Sequence, residues 1–276
     1  MKKNFKLAIV SMLILAMIIP FSGCGRKGSG EFRVGMECGY PPFNWTQTNN
    51  SNGAVRISDG SGYASGYDVE IAKKLAESLG KKLVIVKTQW DGLIPALQAG
   101  SIDAVIAGMS PTAERKLTID FSNNYYRSDL VLVVKKGSKY ESATSLKDFA
   151  GAKVTAQLNT FHYTVIDQIP NVVKASAMDD FTAMRVALQS GIIDAYVSER
   201  PEGISASAAN PDFKMVALEK GKGFKTSDDD VAIAVGLKKG QTETLKKINE
   251  VLAKISDKEK TQIMDNAIKN QPAAQK

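Results

Sequence analysis

Arg115 and Glu199 are the residues from which chemistry can first be read. Each closely follows an apolar run, and the two runs open with related sequences. Ala96-Leu97-Gln98-Ala99-Gly100-Ser101-Ile102-Asp103-Ala104 leads to Ser110, Pro111, Thr112 and Arg115. Ala187-Leu188-Gln189-Ser190-Gly191-Ile192-Ile193-Asp194-Ala195 leads through Tyr196-Val197-Ser198 to Glu199. Both copies read as a helix end, a Gly stop and a buried strand starting at Ile-Asp-Ala. One copy delivers a cation and the other an anion at the same end of matching strands. Two facing lobes built this way could hold a zwitterion.

The cationic copy has further donors. The run Ile102–Ala107 is expected to be a buried strand that ends at Gly108-Met109. Ser110 and Pro111 then read as the N-cap and first residue of a helix, because proline lacks only an N–H that would be unpaired there. Free N–H groups, a hydroxyl and the Arg115 guanidinium would converge on one small anion, and the guanidinium can grip a carboxylate with two parallel bonds. An ordinary capped helix with a surface Arg fits the same residues.

The elements that must position these groups follow an α/β pattern. Phe32–Cys38 reads as a first strand, Tyr67–Leu79 as a helix with an apolar side closed by Gly80, Leu83–Val86 as a strand, and Leu93–Ala99 as a helix. This is βαβαβ, hence a parallel sheet. Leu130–Val134 begins a second series. It comprises Val154–Ala156, the loop Gln157–Phe161, helices His162–Ile169 and Phe181–Gln189, strand Ile192–Val197, helix Pro201–Ala209 and strand Met215–Leu218. A strand Val231–Val235 and two amphipathic helices, Thr242–Ile255 and Asp257–Ile268, close the chain. Those helices carry an apolar stripe with no strands of their own to cover, so they are expected on the first lobe. The chain would then cross between lobes twice, near 127–130 and near 226–231, which makes a hinge.

Composition excludes several classes. The chain has 276 residues, enough for one large or two medium domains. Three of the charges behind its formal +7, Lys2, Lys3 and Lys6, precede the apolar stretch Leu7–Ile19 in the pattern of a leader, which is too short for a spanning helix. The other charges are dispersed, with no Arg-aromatic patch of the kind that binds nucleic acid. Of two cysteines only Cys38 remains after Cys24, so no internal disulfide is expected, and one histidine, His162, far off in sequence, makes a metal centre with Cys38 unpromising. Cys38 is expected to be a buried, inert thiol. No cofactor is called for.

Two resemblances follow from these residues. Phe21-Ser22-Gly23-Cys24 resembles the lipobox of bacterial lipoproteins, which implies a signal peptide over 1–23, a diacylglyceryl thioether on Cys24 and a flexible tether over 24–30. From residue 31 to about 270 the chain resembles the extracellular amino-acid-binding proteins of ABC importers, the group of the lysine/arginine/ornithine- and glutamine-binding proteins. That resemblance implies a type II periplasmic-binding-protein-like α/β fold with two crossover hinge strands. Lobe 1 would comprise 31–127 and 229–276, and the inserted lobe 2 would comprise 128–228. It also implies roles, residue by residue. Glu37 and Tyr40 match the family's strand-end acid and aromatic, and Tyr67 in Gly66-Tyr67-Asp68 matches a second stacking ring. Ser110, Thr112 and Arg115 match its Ser-X-Thr-X-X-Arg pattern, with Arg115 on the ligand's α-carboxylate. Thr160 after Asn159 would donate its N–H to the same group. Glu199 would take the α-ammonium, where the family mostly has Asp. Gly108, Trp90 and Met109 complete the expected site, the last two as apolar wall.

The function implied is a lipid-anchored, extracytoplasmic, monomeric receptor for a free amino acid, partnered by the permease of an ABC transporter. Glu37 suits a basic side chain such as arginine, lysine, ornithine or histidine, and equally an amide such as glutamine; the apolar wall also permits cystine. The scaffold also resembles cyclohexadienyl dehydratases, for which Glu199 or Glu37 would have to act as general acid. A ligand-sensing receptor domain is the other rival. Capture without covalent chemistry is the expectation.

Overall fold

The computed structural model describes residues 30–272, so the leader, Cys24 and most of the tether lie outside the described residues. In chain order the elements are β1 (Glu31–Met36), β2 (Gly39–Tyr40), β3 (Asn44–Gln47), β4 (Val55–Arg56), β5 (Tyr63–Ser65), α1 (Tyr67–Ser78), β6 (Lys82–Lys87), α2 (Leu93–Ala99), β7 (Ala104–Val105), α3 (Ala113–Thr118), β8 (Ile119–Arg127) and β9 (Leu130–Lys135). There follow β10 (Lys153–Thr155), α4 (Phe161–Val165), β11 (Val173–Lys174), α5 (Phe181–Gln189), β12 (Ala195–Glu199), α6 (Arg200–Ala209), β13 (Phe213–Val216), β14 (Ala232–Lys238), α7 (Thr242–Leu252) and α8 (Asp257–Asn270). Among the described residues no helix is long and apolar enough to cross a membrane.

Two five-stranded sheets have matching topology. One runs β6-β1-β7-β14-β8 and the other β11-β10-β12-β9-β13. In each, three strands are parallel and the fourth is antiparallel to its neighbour. That antiparallel strand, β14 or β9, is the one that has just crossed from the other lobe. The crossings run side by side, with Ala232 paired to Arg127 and the Ser128 N–H donating to the Val231 carbonyl at 2.9 Å.

The two copies of the internal repeat share their glycine stop and their backbone-to-Asp bonding. Gly100 and Gly191 both end their helices in the left-handed region, at φ 75° and 74°. The Asp103 N–H donates to the Arg33 carbonyl, and Asp194 N–H to that of Lys153. In return each Asp carboxylate accepts the N–H of that same residue on the neighbouring parallel strand, at 2.8 Å in both lobes. The Ile-Asp-Ala signature is thus a strand-start clamp, and it fixes the register of β7 on β1 and of β12 on β10.

The core forms where the apolar faces meet. Val69, Ile71, Ala72, Leu75 and Ala76 of α1 are buried against the first sheet, each large aliphatic side chain contributing about 1.5–3 kcal/mol by leaving water. The stripe of α7 buries Ile248 and Leu252 over β8 and α1, and α8 packs on α1 while also touching α6. The closing helices therefore cover the first sheet, as their unpartnered stripe requires.

Several local expectations are corrected. The strand expected over Ile102–Ala107 is paired only at Ala104–Val105. Ser110 does not cap a helix and Pro111 does not start one. Thr112 is the N-cap of α3, its hydroxyl accepting the Arg115 N–H, while the Ser110 hydroxyl donates to the Asp230 carbonyl at 2.7 Å. Both Ser110 and Thr112 carry capping side chains, and tertiary contact with the second crossing claims the first. The helix expected over His162–Ile169 is α4 followed by a 3-10 turn at Ile166–Gln168. The nine-residue β8 has no expected counterpart. Its ladder to β14 shifts register twice, which breaks the two-residue alternation by which a strand is recognised.

Candidate functional site

Four loops at carboxyl ends of parallel strands face one another across the two lobes, the position where open α/β sheets bind ligands. They follow β1, β7, β10 and β12. The cleft between them has about 280 Å³ of empty space, mouth included, and is lined from lobe 1 by Tyr40, Trp90, Gly108, Ser110 and Arg115 and from lobe 2 by Gln157, Thr160, His162, Phe181 and Glu199. Arg115 and Glu199, delivered by the two copies of the repeat, therefore meet in one space.

The cationic side is tightly tethered. Arg115 donates to the Ser110 carbonyl at 3.0 Å and, across the cleft, to the Asn159 carbonyl at 3.1 Å. Its guanidinium lies 4.9 Å over the Trp90 ring, a cation–π arrangement. Burial lowers the Arg115 pKa to about 10, with Glu114 and Glu199 acting the other way. A desolvated guanidinium held by carbonyls alone lacks a full counter-charge, which suits it to an incoming carboxylate. The Trp90 indole N–H also points at the Asn159 carbonyl (3.5 Å), and the Asn159 amide reaches Asp91 at 3.0 Å. Asn159 sits in the left-handed region at φ 54°, which Asn tolerates better than most residues. Thr160 caps α4 and its hydroxyl turns back to the Gln157 carbonyl.

The anionic side is buried. Glu199 ends β12, accepts the Tyr40 phenol on Oε2, and lies with Oε1 3.0 Å from His162 Nε2. The imidazole is close but out of line for a hydrogen bond, and neither of its nitrogens has a hydrogen-bond partner. Burial pushes the Glu199 carboxyl up, but His162 and Tyr40 outweigh it and hold the group below its usual value. The Tyr40 ring is stacked between Phe43 and, from the other lobe, Phe181, at centroid separations of 4.9 and 4.3 Å.

Three expected site residues are placed elsewhere. Tyr67 is fully buried, stacked on Tyr125 and donating to its carbonyl, and does not line the cleft; its ring is core, and Phe181 is the second ring on Tyr40. Met109 is buried, its carbonyl accepting the Ala234 N–H, which pins the cleft loop to β14. Glu37 lies one layer behind the cleft, with Oε1 accepting the Gln157 amide at 2.8 Å and Oε2 unpartnered. Burial pushes its pKa up to about 8, against the lowering effect of Gln157.

Gly108 and Asp68 explain the geometry. Gly108 has φ 63°, and a Cβ there would come within 2.7 Å of the Tyr40 ring. Its N–H is held by the Tyr125 hydroxyl at 3.3 Å, which itself donates to the buried Asp68 at 2.7 Å. Asp68 also takes the Asn44 amide, and burial pushes its pKa up to about 6. Asp68, rather than Tyr67, is thus the working member of Gly66-Tyr67-Asp68. Gln157, Phe161, His162 and Phe181 are cleft residues that sequence reasoning missed. The only available signals were a lone histidine two places after Thr160 and an aromatic directly after a helix-capping Asp180. Cys38 is buried, its thiol pushed up by that burial to about 12, and among the described residues no cluster of His, Cys, Asp and Glu could hold a metal.

Residues 32–269 match the model of the bacterial extracellular solute-binding proteins, family 3. The chain is 32% identical to the ABC transporter glutamine-binding protein GlnH of Bacillus subtilis, over 99% of this chain and 100% of that protein. It is 30% identical to the L-cystine-binding protein TcyJ of Escherichia coli K12, over 83% of this chain and 79% of that protein. Among solved structures, an amino acid ABC transporter substrate-binding protein from Streptococcus pneumoniae bound to L-arginine superposes with a TM-score of 0.74 at 26% identity, covering 87% and 94% of the two chains. An ancestral arginine-binding protein bound to glutamine gives 0.71 at 32% identity, covering 87% and 98%. These relatives are named as binding proteins, not enzymes. The chain belongs to the bacterial extracellular solute-binding proteins of family 3, and its two lobes are of the type II periplasmic-binding-protein kind.

Proposed function

We propose that this member of the family is a lipid-anchored receptor that closes its lobes on one free amino acid outside the cytoplasmic membrane and presents it to the permease of an ABC transporter. The carrying observation is the convergence, from opposite lobes, of an incompletely paired Arg115 and a buried Glu199 on one cleft. Arg115 takes the α-carboxylate, with Ser110 and the backbone around Gly108 and Thr160 beside it. Glu199 takes the α-ammonium. Tyr40 and Trp90 wall the rest, Asn159 ties Trp90 and Arg115 across the cleft, and Gln157, backed by Glu37, faces the side-chain end.

Capture needs no covalent step. Ligand shifts an open-to-closed equilibrium by as much as it binds the closed state better, so groups from both lobes must touch it. The side chain accepted is polar or basic: arginine, lysine, ornithine, histidine or glutamine. A Gln157 amide and an acid behind it can serve either a cation or an amide, and the relatives' printed ligands, glutamine, arginine, histidine and cystine, support the amino-acid class. Residues 1–23 are the leader, Cys24 carries the lipid, and the receptor works as a monomer. The lobe boundaries near 127–128 and 228–229 coincide with the paired crossings, which supports a hinge there.

The test is a thermal-shift screen of the common amino acids. A ligand at 100 times its Kd should stabilise the protein by about 2.7 kcal/mol. No shift with any amino acid would sink the proposal.

A further inference from the structure

The ammonium side of the cleft contains a group that the proposed capture does not use. His162 is 5% exposed, lines the cleft, and puts Nε2 3.0 Å from Glu199 Oε1. Neither ring nitrogen has a hydrogen-bond partner. Protonation of the ring sets a cation 3.0 Å from the buried carboxylate, while Nδ1 stays without a partner in either state. His162 and a ligand ammonium therefore want the same oxygen.

We propose that His162 is a proton-dependent competitor of the ligand's α-ammonium for Glu199, so that amino-acid capture expels a proton from His162 to solvent and acid weakens capture. This rests on the reading of Glu199 as the ammonium site. With His162 protonated, Glu199 already has its cation, and a second cation entering would meet an imidazolium within a dry cleft. With His162 neutral, the ammonium meets a free carboxylate. Binding to the protonated receptor then requires His162–H⁺ to give up its proton, and the net charge around Glu199 is unchanged: one cation replaces another.

His162 is faced by groups from both lobes. Glu199 faces it from β12, Tyr40 from β2 through Glu199, and Arg115 from across the cleft. Its own helix contributes Phe161, whose ring is 4.3 Å away. Farther out, Glu37 stands behind Gln157, Asp91 contacts Asn159, and Asp68 lies in the core. Burial raises Glu37 to about 8 and Asp68 to about 6, so the test must separate His162 from both.

The experiment measures calorimetric Kd for L-glutamine and L-arginine from pH 5 to 8 in buffers of different ionisation enthalpy. The wild type, His162→Gln and Glu199→Gln are compared. The expected result for the wild type is a Kd that rises as pH falls through the range where imidazoles titrate, by up to tenfold per pH unit, with release of up to one proton on binding. His162→Gln should lose that slope and that proton, read as the ratio of the variant's own Kd values at pH 5 and pH 8, so that a change in absolute affinity does not enter. Because His162 is the sole histidine of the chain, its imidazole resonance in the untagged protein should titrate at lower pH once ligand is added. An identical slope in wild type and His162→Gln assigns the proton to Glu37 or elsewhere and overturns the proposal, as does a flat wild-type profile. Unchanged affinity in Glu199→Gln would instead remove the ammonium site itself. Weak binding by Glu199→Gln alongside a His162-independent slope would leave that site standing and reject only the competition.

Discussion

Replacing Arg115 by Ala separates a ligand-binding role from a structural one. In the structure the guanidinium holds one carbonyl of its own lobe, one carbonyl of the other, and the Trp90 face. Truncation removes those contacts, of which a hydrogen bond to a charged group is worth about 1.5–3 kcal/mol net and a cation–π contact about 0.5–2. It also relieves the desolvation that lowers the Arg115 pKa to about 10, so much of the loss cancels. The Thr112 cap on the Arg115 backbone N–H survives. A net cost of about 1 kcal/mol corresponds to a melting shift of roughly 2–4 °C for a chain of this size. The ligand side is different. A carboxylate in a dry cleft without its guanidinium should cost about 2–5 kcal/mol, or roughly 30- to 4,000-fold in Kd. Differential scanning fluorimetry of the empty and ligand-saturated protein reads both quantities. The expected result is a nearly unchanged empty melt with the ligand-induced shift gone, and Arg115→Lys intermediate because it keeps charge but not the fork. Unfolding of the empty Arg115→Ala protein, with a normal ligand shift in the remaining folded fraction, would refute the reasoning and make Arg115 a structural residue.

Three further outcomes are expected. Gly108→Ala forces a side chain into the left-handed region and onto the Tyr40 ring; stability should fall by about 1–3 kcal/mol, and urea midpoints equal to wild type would show that the loop adapts freely. Glu37 is raised in the folded state from 4.5 to about 8, so the stability it confers as a neutral acid is full below pH 4.5 and is lost as pH rises through 8. Glu37→Gln should therefore melt progressively higher than wild type between pH 5 and 8, and a gap that narrows with rising pH contradicts the assignment. Cys24→Ser should abolish incorporation of labelled fatty acid, and equal labelling of the variant would place the lipid on another residue.

The repeated Leu-Gln-(Ala/Ser)-Gly-(Ser/Ile)-Ile-Asp-Ala stretch made the lobe architecture legible in advance. Its parts are local: a helix stop that wants a left-handed glycine, a clamp Asp, and a buried strand start. All three act within a few residues or on the adjacent strand, so each is written in the residue types themselves. The long α1 and the closing helices were likewise visible, because an apolar stripe at helical spacing depends on the helix alone. Arg115 and Glu199 could be singled out because each stands just beyond such a unit.

What only the tertiary structure decided concerns partners brought from far along the chain. Ser110 and Thr112 are both competent caps, and the choice between them was made by the Asp230 carbonyl, 120 residues away. Tyr67 and Phe181 are both aromatic, and the packing of lobe 2 on lobe 1 put Phe181 on Tyr40 and Tyr67 in the core. Glu37 reads as an acid in any sequence, but its neutral tendency arises from burial behind Gln157. His162 gives no periodic signal at all; its significance comes from 3.0 Å of space to a carboxylate 37 positions later. Local preference is encoded by residue type and spacing, whereas competition for a buried polar partner is settled by which groups the closed lobes bring within a hydrogen bond of each other and away from water.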